Sequence, residues 1–239
     1  MDNYGDEFYG NNETRLESSS EILKIIFDIF KPKSILDVGC GRGAWLKKSK
    51  ELGAEKIYGV DGAWNNGKLI DDQIVFESVD LNKDFKFDNQ FDLTLCLEVA
   101  EHLDEKISKN FITCLTKTSN VILFSAAFKH QGGVNHVNEN LHSYWGQLFS
   151  NNDFLVFDII RPSIWDNNKI SYWYRQNCFL YVRKNSTEYE SFFKNYSFLK
   201  NLKLMDTIHP EMFFRKVKSQ GLKYHLKQII RLLKKKLYE

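Results

Sequence analysis

The chain has 239 residues, a length that suits one α/β domain with additions. Its formal charge is +2 and 43% of its residues are apolar, so a full core is available and neither bulk polyanion binding nor a nucleic-acid partner is expected. The charge is uneven: residues 185–239 hold 12 Lys and Arg against 5 Asp and Glu, a balance of +7, and residues 1–184 hold 21 against 26, a balance of −5.

The N-terminal "MDNYGDEFYGNNETRLESSS" is polar and acidic and does not read as a signal peptide. It reads as an arm or lid over residues 1–20, whose Tyr4, Phe8, Tyr9 and Arg15 could close over a ligand. Ser18 to Ser20 are candidate caps for a helix from Glu21 to Phe30, with Ile22, Ile25, Ile26 and Ile29 on one face. Strands follow at "SILDVG", "KIYGVD", "IVFESVD", "FDLTLCLE" and "NVILFSA", with helices at "AWLKKSKELG" and from Asp104 to Thr116. Nearly continuous apolar strands alternating with helices predict a parallel sheet covered on both faces. "FKHQGGVNHVNENLHSYW" reads as a polar loop entering a short helix. "FLVFDIIRPSIW" and "SYWYRQNCFLYVRK" read as two further strands, and the chain after Glu188 as a helical extension.

Cys40, Cys96, Cys114 and Cys178 are scattered, without a C-x-x-C pair, which reads as a reduced, cytoplasmic protein. No apolar run approaches the ~18 residues of a membrane span. The C-terminal "LKQIIRLLKKKLYE" could lie on an anionic membrane face, or pack on the domain or on a second subunit of a homodimer.

The acids that end successive strands carry the functional reading. Asp37, Asp61, Asp80 and Glu98 stand where an open α/β sheet binds ligands. The glycines of "DVGCGRG" allow a tight turn and a close backbone approach. Carboxylates there suit the sulfonium and ammonium of S-adenosylmethionine (SAM) better than the diphosphate of NAD. Asp61 alone would serve the ribose of either. Asp80 and Leu81 together suit an adenine.

In order, "ILDVGCGRG", "GVDG", "VDL" and "FDLTLCLEVAEHL" resemble the successive motifs of class I SAM-dependent methyltransferases. The resemblance implies a Rossmann-like α/β fold with a mostly parallel seven-stranded sheet flanked by helices. It places Asp37, Gly39 and Gly41 at the methionine end of SAM, Asp61 and Gly62 at the ribose, Asp80 and Leu81 at the adenine, and Glu98 beside them. The methyltransferase domain then spans residues 1–184 and a basic helical extension residues 185–239. The segments "FSAAFKHQGGVNHVNENLHSYWGQLF" and "RPSIWDNNKISYWYRQN" are similar to methyltransferases of bacterial capsule and lipopolysaccharide biosynthesis. That likeness implies O-methylation of a sugar or nucleotide-sugar precursor.

If a helix begins near Glu98, then Glu98, Glu101 and His102 lie at i, i+3 and i+4 on one face. This E-x-x-E-H arrangement resembles the metal ligands of plant small-RNA 2′-O-methyltransferases and is similar to ubiquinone-pathway O-methyltransferases. It implies a divalent ion such as Fe, Mn, Mg, Co or Zn. His130, His136 and His142 compete to complete the set, and His136, in "NHVNE", is favoured. Without a metal, His136, Glu98 or His102 would serve catalysis directly. Further alternatives are a metal-free methyltransferase of another small molecule or a phosphorylated group, and a catalytically idle SAM-fold subunit that binds a partner. Asn138 and Glu139 could bind sugar hydroxyls or cap the next helix. Arg161 or Arg175 could meet a phosphate of an activated sugar.

Overall fold

The computed structural model describes residues 12–65, 68–88, 90–219 and 221. Its centre is a seven-stranded sheet in the order β3-β2-β1-β4-β5-β7-β6. The strands are β1 (Ser34–Val38), β2 (Lys56–Asp61), β3 (Val75–Ser78), β4 (Leu93–Leu97), β5 (Val121–Ser125), β6 (Phe154–Phe157) and β7 (Phe179–Arg183). Only β7 runs against its neighbours, pairing antiparallel with β5 and β6. The five predicted parallel strands all form. Strand order reverses between β1 and β4, and that crevice lies at the carboxyl ends of both.

Alternation divides the strands between two cores. Ile35, Leu93, Leu95, Leu97, Val121 and Leu123 face one side, where α1 (Asn12–Ile29) and α2 (Ala44–Glu51) pack. Leu36, Val38, Cys96, Ile122 and Phe124 face the other, against α3 (Ser108–Leu115) and α4 (His142–Ser150). On α1, Ile22, Leu23 and Ile26 are fully buried, each contributing about 1.5–3 kcal/mol.

The N-terminal helix differs from expectation. It starts at Asn12, so residues 12–20 are not an arm and Ser18 to Ser20 are not caps. Ser18 and Ser19 are buried in the helix interior. Ser19 Oγ donates to the Leu16 carbonyl (3.0 Å), and Ser18 Oγ accepts from the Ser171 amide (3.1 Å). A hydroxyl that can cap a helix can equally bond within it or across to a neighbour. Tyr4, Phe8 and Tyr9 lie outside the described residues.

Two predicted strands are partly helical. "FLVFDIIRPSIW" splits into β6 and α5 (Ile160–Ile164), and "SYWYRQNCFLYVRK" into α6 (Tyr172–Asn177) and β7. The division at residue 184 is not a break in the core either. Phe193 and Met205, from the extension, are fully buried, one in each core. The Leu199 amide donates to the Val156 carbonyl of β6 (2.8 Å). A π-helical turn (Tyr189–Phe193), a 3-10 turn (Leu202–Asp206) and α7 (Pro210–Ser219) complete the described part. The segment "LKQIIRLLKKKLYE" lies outside it. Among the described residues no helix is long and apolar enough to cross a membrane.

Neither Arg161 nor Arg175 awaits a phosphate. Arg161 is buried and donates to Asp158, to the carbonyls of Met205 (3.0 Å), Thr207 (3.4 Å) and Gln176 (3.4 Å), and lies 4.1 Å over the Phe179 ring. Arg175 is buried beside Glu211 and the Trp165 carbonyl. These two cations clasp the extension to the domain.

Candidate active site

The β1 turn is built for close approach. Gly39 has φ +81°, and a Cβ there would stand 2.3 Å from Val99 Cγ2. The Gly39 and Cys40 amides both donate to the Val60 carbonyl (2.8 and 3.1 Å), folding the turn over β2. Asp61, at the end of β2, locks it further. Its Oδ2 accepts from the Gly41 amide (2.8 Å) and its Oδ1 from the Gly62 amide (2.7 Å). Burial pushes the Asp61 carboxyl up to about 6, against the pull of these hydrogen bonds.

A cavity of about 1660 Å³ opens above the crevice. That exceeds the usual ~300–1,000 Å³ of a single-ligand pocket, so two ligands fit side by side. Gly39, Gly41, Asp61, Gly62, Asp80, Leu81 and Glu98 all line it. Asp37 does not. It is 2% exposed beneath the turn, with Oδ2 lacking a hydrogen-bond partner, and burial together with Asp61 pushes its carboxyl up to about 8. Asp80 accepts from the Asn82 amide and side chain and pairs with Lys83. Trp64 and Trp45 add aromatic wall, and Arg15, on α1, reaches the same cavity.

The far wall is a different kind of surface. Glu98 does not begin a helix. It sits at φ +56°, a left-handed conformation costing a non-glycine residue about 1–3 kcal/mol. Its amide donates to the carbonyl and hydroxyl of Ser125 (3.1 and 3.0 Å), and a 3-10 turn, Ala100–His102, follows. The reversal breaks the helical spacing, so the expected common face of Glu98, Glu101 and His102 is not formed. Among the described residues, Glu101, His102 and His136 bring one ligand atom each within 4.8 Å of one another, and Glu98 is not part of that group.

Loop 131–140 delivers His136. The Val137 and Asn138 amides donate to the Glu101 carbonyl (2.9 and 3.0 Å). Asn138 Nδ2 donates to the Ala100 carbonyl (3.2 Å) and Ser108 Oγ (2.9 Å), so Asn138 is a staple and not a sugar contact. His136 Nδ1 meets Glu139 Oε1 (2.8 Å), and His102 Nδ1 meets the Asn135 carbonyl (3.3 Å). Both partners are acceptors, which places the ring protons on Nδ1 and the lone pairs on Nε2. Burial and nearby His136 hold His102 below the ordinary imidazole value, in its neutral form. Glu101 is fully buried and neither carboxylate oxygen has a hydrogen-bond partner. Burial, then Glu98, pushes its carboxyl well above the ordinary range. A buried acid without a partner at hydrogen-bond geometry, beside two imidazoles, fits a cation ligand set.

Glu98 faces the same cavity from a separate cradle. Asn177 Nδ2 donates to its two oxygens (3.1 and 3.3 Å) and to Gln131 Oε1 (3.0 Å). Buried His142 stands behind, between Asn177 Oδ1 (3.1 Å) and the Met205 carbonyl (3.2 Å). Burial and Arg161 take His142 down to about 4. His142 is therefore a support, and His130 is exposed on the loop. Asn177 and Trp64 carried no signal in the sequence. Their roles come from elements far apart along the chain.

A family model described as a methyltransferase domain matches residues 12–176, and the chain belongs to that family. The mitochondrial ubiquinone biosynthesis O-methyltransferase of Dictyostelium discoideum is 34% identical over 102 residues, 35% of this chain and 31% of that protein. The ribosomal protein L11 methyltransferase of Fusobacterium nucleatum is 26% identical over 119 residues, 45% of this chain and 37% of that protein. The chain thus spans about a third of the length of these curated relatives. The fold matches the magnesium protoporphyrin IX methyltransferase of Synechocystis with bound SAH, at a TM-score of 0.55 and 17% identity, over 76% of this chain and 91% of that one. It also matches the plantazolicin methyltransferase BpumL in complex with a pentazolic analog and SAH, at 0.52 and 21%, over 75% and 90%.

Proposed function

We propose that the protein is a SAM-dependent O-methyltransferase that holds its acceptor hydroxyl beside a divalent ion on Glu101, His102 and His136. One observation carries the reading: the unpartnered carboxylate of Glu101 and both imidazoles border the same cavity as the Asp61-braced glycine turn. SAM fits the turn side, with Asp61 at the ribose and Leu81 and Trp64 near the adenine. The acceptor fits the wall of Gln131, His136, Tyr172 and Trp173, whose polar and aromatic groups suit a hydroxylated ring such as a sugar. The sugar class itself, as a nucleotide-activated or glycan precursor, rests on the sequence resemblance.

Transfer is an in-line displacement. The acceptor oxygen forms a bond to the methyl carbon as the carbon–sulfur bond breaks, and the hydroxyl proton goes to a base. Glu98 suits that base: burial raises its carboxyl, and Asn177 fixes its direction. A divalent ion at the three ligands would supply Lewis acidity, lowering the pKa of a bound hydroxyl. Glu139 holds the His136 ring for that purpose. The His136–Glu139 contact also supports a second reading, a metal-free enzyme in which His136 is the base. Chelator-stripped protein, assayed with SAM and a panel of nucleotide-activated sugars by mass, separates the two. Full activity without added metal leaves the second reading standing. Absence of SAM binding in calorimetry removes both and favours a non-catalytic partner subunit.

Two substitutions sharpen the test. Asp61→Ala removes a charged acceptor and the brace on two amides, and is expected to weaken SAM binding about tenfold or more, measured by calorimetry. Unchanged affinity would place SAM elsewhere. Gly133→Ala adds a Cβ 2.2 Å from His136 Nε2. The imidazole must shift, and Mn(II) affinity is expected to drop about tenfold or more with little change in melting temperature. Wild-type Mn(II) affinity in this variant would remove His136 from the ligand set.

A further inference from the structure

Helix α7 is turned inside out. Residues of a helix advance by about 100°, so Glu211, Met212, Arg215 and Lys216 share one side and Phe213, Phe214, Val217 and Lys218 the other. The first side meets the domain. Met212 is buried, Glu211 pairs with both Arg175 and Arg215, and the Arg215 guanidinium lies 4.7 Å over the Tyr172 ring. A Cβ on Gly132 would stand 3.9 Å from Lys216 Nζ. Tyr172 and Gly132 both line the cavity, so this charged side lies along its rim. An ordinary surface helix points its apolar stripe inward. Here the large apolar residues point outward, with Phe213 53%, Phe214 57% and Val217 48% exposed. The rim loop that carries Gly132 adds two more, Val134 and Val137, at 54% and 67%.

We propose that this rim docks on an anionic lipid surface, with the phenylalanines of α7 and the valines of the loop entering the headgroup layer. Charge complementarity selects the occupant. Lys218 stands on the outward side with the apolar residues, and it belongs to a segment, residues 185–239, whose sequence balance is +7 against −5 for the rest of the chain. Aromatic insertion flanked by cations is the composition of an interfacial helix on anionic lipid. A protein seated across the rim would cover the cavity mouth, whereas a fluid bilayer can present a molecule to it. The docking stands on this geometry alone. That the acceptor is carried at the bilayer rests on the methyl-transfer reading above.

The test uses the full chain and vesicles of phosphatidylcholine, with and without phosphatidylglycerol, in flotation assays. The wild type is expected to float with the anionic vesicles and to be released by salt. The double variant Phe213→Ser with Phe214→Ser is expected to partition about tenfold less, with SAM affinity by calorimetry and melting temperature unchanged. No flotation of the wild type overturns the proposal. So does equal flotation of the double variant, which would assign binding to the basic residues alone. Light scattering provides a third arm. A dimer that the double variant dissolves would give the face to a second copy of the chain and overturn the lipid assignment. None of these readouts requires methyl transfer, so failure of the docking and failure of the enzymatic reading are distinguishable.

Discussion

Glu101→Gln is expected to weaken divalent-ion binding by about a hundredfold or more and, in metal-free protein at alkaline pH, to raise the melting temperature. The two effects have one cause. The Glu101 carboxylate is fully buried, its oxygens have no partner at hydrogen-bond geometry, and burial and then Glu98 push its carboxyl well above the ordinary range, against a weaker pull from the nearby Glu101 and Ala127 amides. A carboxyl raised in the folded state contributes its full stability below its unfolded pKa and loses it as pH rises through the folded value. Metal-free wild type should therefore melt progressively lower from the ordinary carboxylate range upward. The glutamine variant carries no charge to bury and escapes that loss. At about pH 5 the two proteins should melt alike, and at about pH 8 the variant should melt higher. Added Mn(II) should reverse the order at high pH by stabilising the wild type alone. Calorimetry and thermal melts at both pH values check this. A variant that melts lower at pH 8 without metal would mean that the carboxylate has a structural partner, and the cation site would fall.

Arg161→Ala is expected to cost about 3–5 kcal/mol of stability, lowering the melting temperature by roughly 10 °C in a chain of this size. Its guanidinium joins Asp158 on one side to the carbonyls of Met205, Thr207 and Gln176 on the other, under cover of Phe179. Removal strands a partly buried aspartate and releases the extension. Arg161→Lys keeps the charge but not the planar fork, and should recover only part of the loss. The effect should also reach the site. The Met205 carbonyl backs His142, His142 backs Asn177, and Asn177 aims Glu98. A melting temperature within 2 °C of the wild type would show that the clasp contributes little.

Much of this was legible in the chain. Four of the five parallel strands are short runs ended by glycine or acid, and burial on both faces leaves β1, β4 and β5 little other choice. The line of acids pointed to the carboxyl edge, and the cavity is there. What escaped detection depended on contacts between distant segments. "SYWYRQN" has the aromatic composition of a strand, yet Tyr174 packs edge-on against Trp45 (5.2 Å) and the segment is helical. Helical spacing put Glu98 with Glu101 and His102, but the left-handed backbone at Glu98 breaks that period, and spacing arguments cannot register a single φ. Asp37 has the position of a ligand contact in sequence but is buried beneath the turn in space. His136 stood out among three histidines because its loop lies between a strand and a helix. Its anchor, two amides on the Glu101 carbonyl, spans residues too far apart for any local pattern.

The bond from Leu199 to Val156 has a consequence for solubility. β6 is the last strand of the sheet, and its outer backbone groups would otherwise face water as an open row of donors and acceptors. Such a row is a template on which another chain can add a strand. The extension runs past this strand and occupies its outer side before turning back to the clasp at Arg161. It is thus a guard for this edge of the sheet as well as a rim for the cavity, and it opposes strand addition at β6.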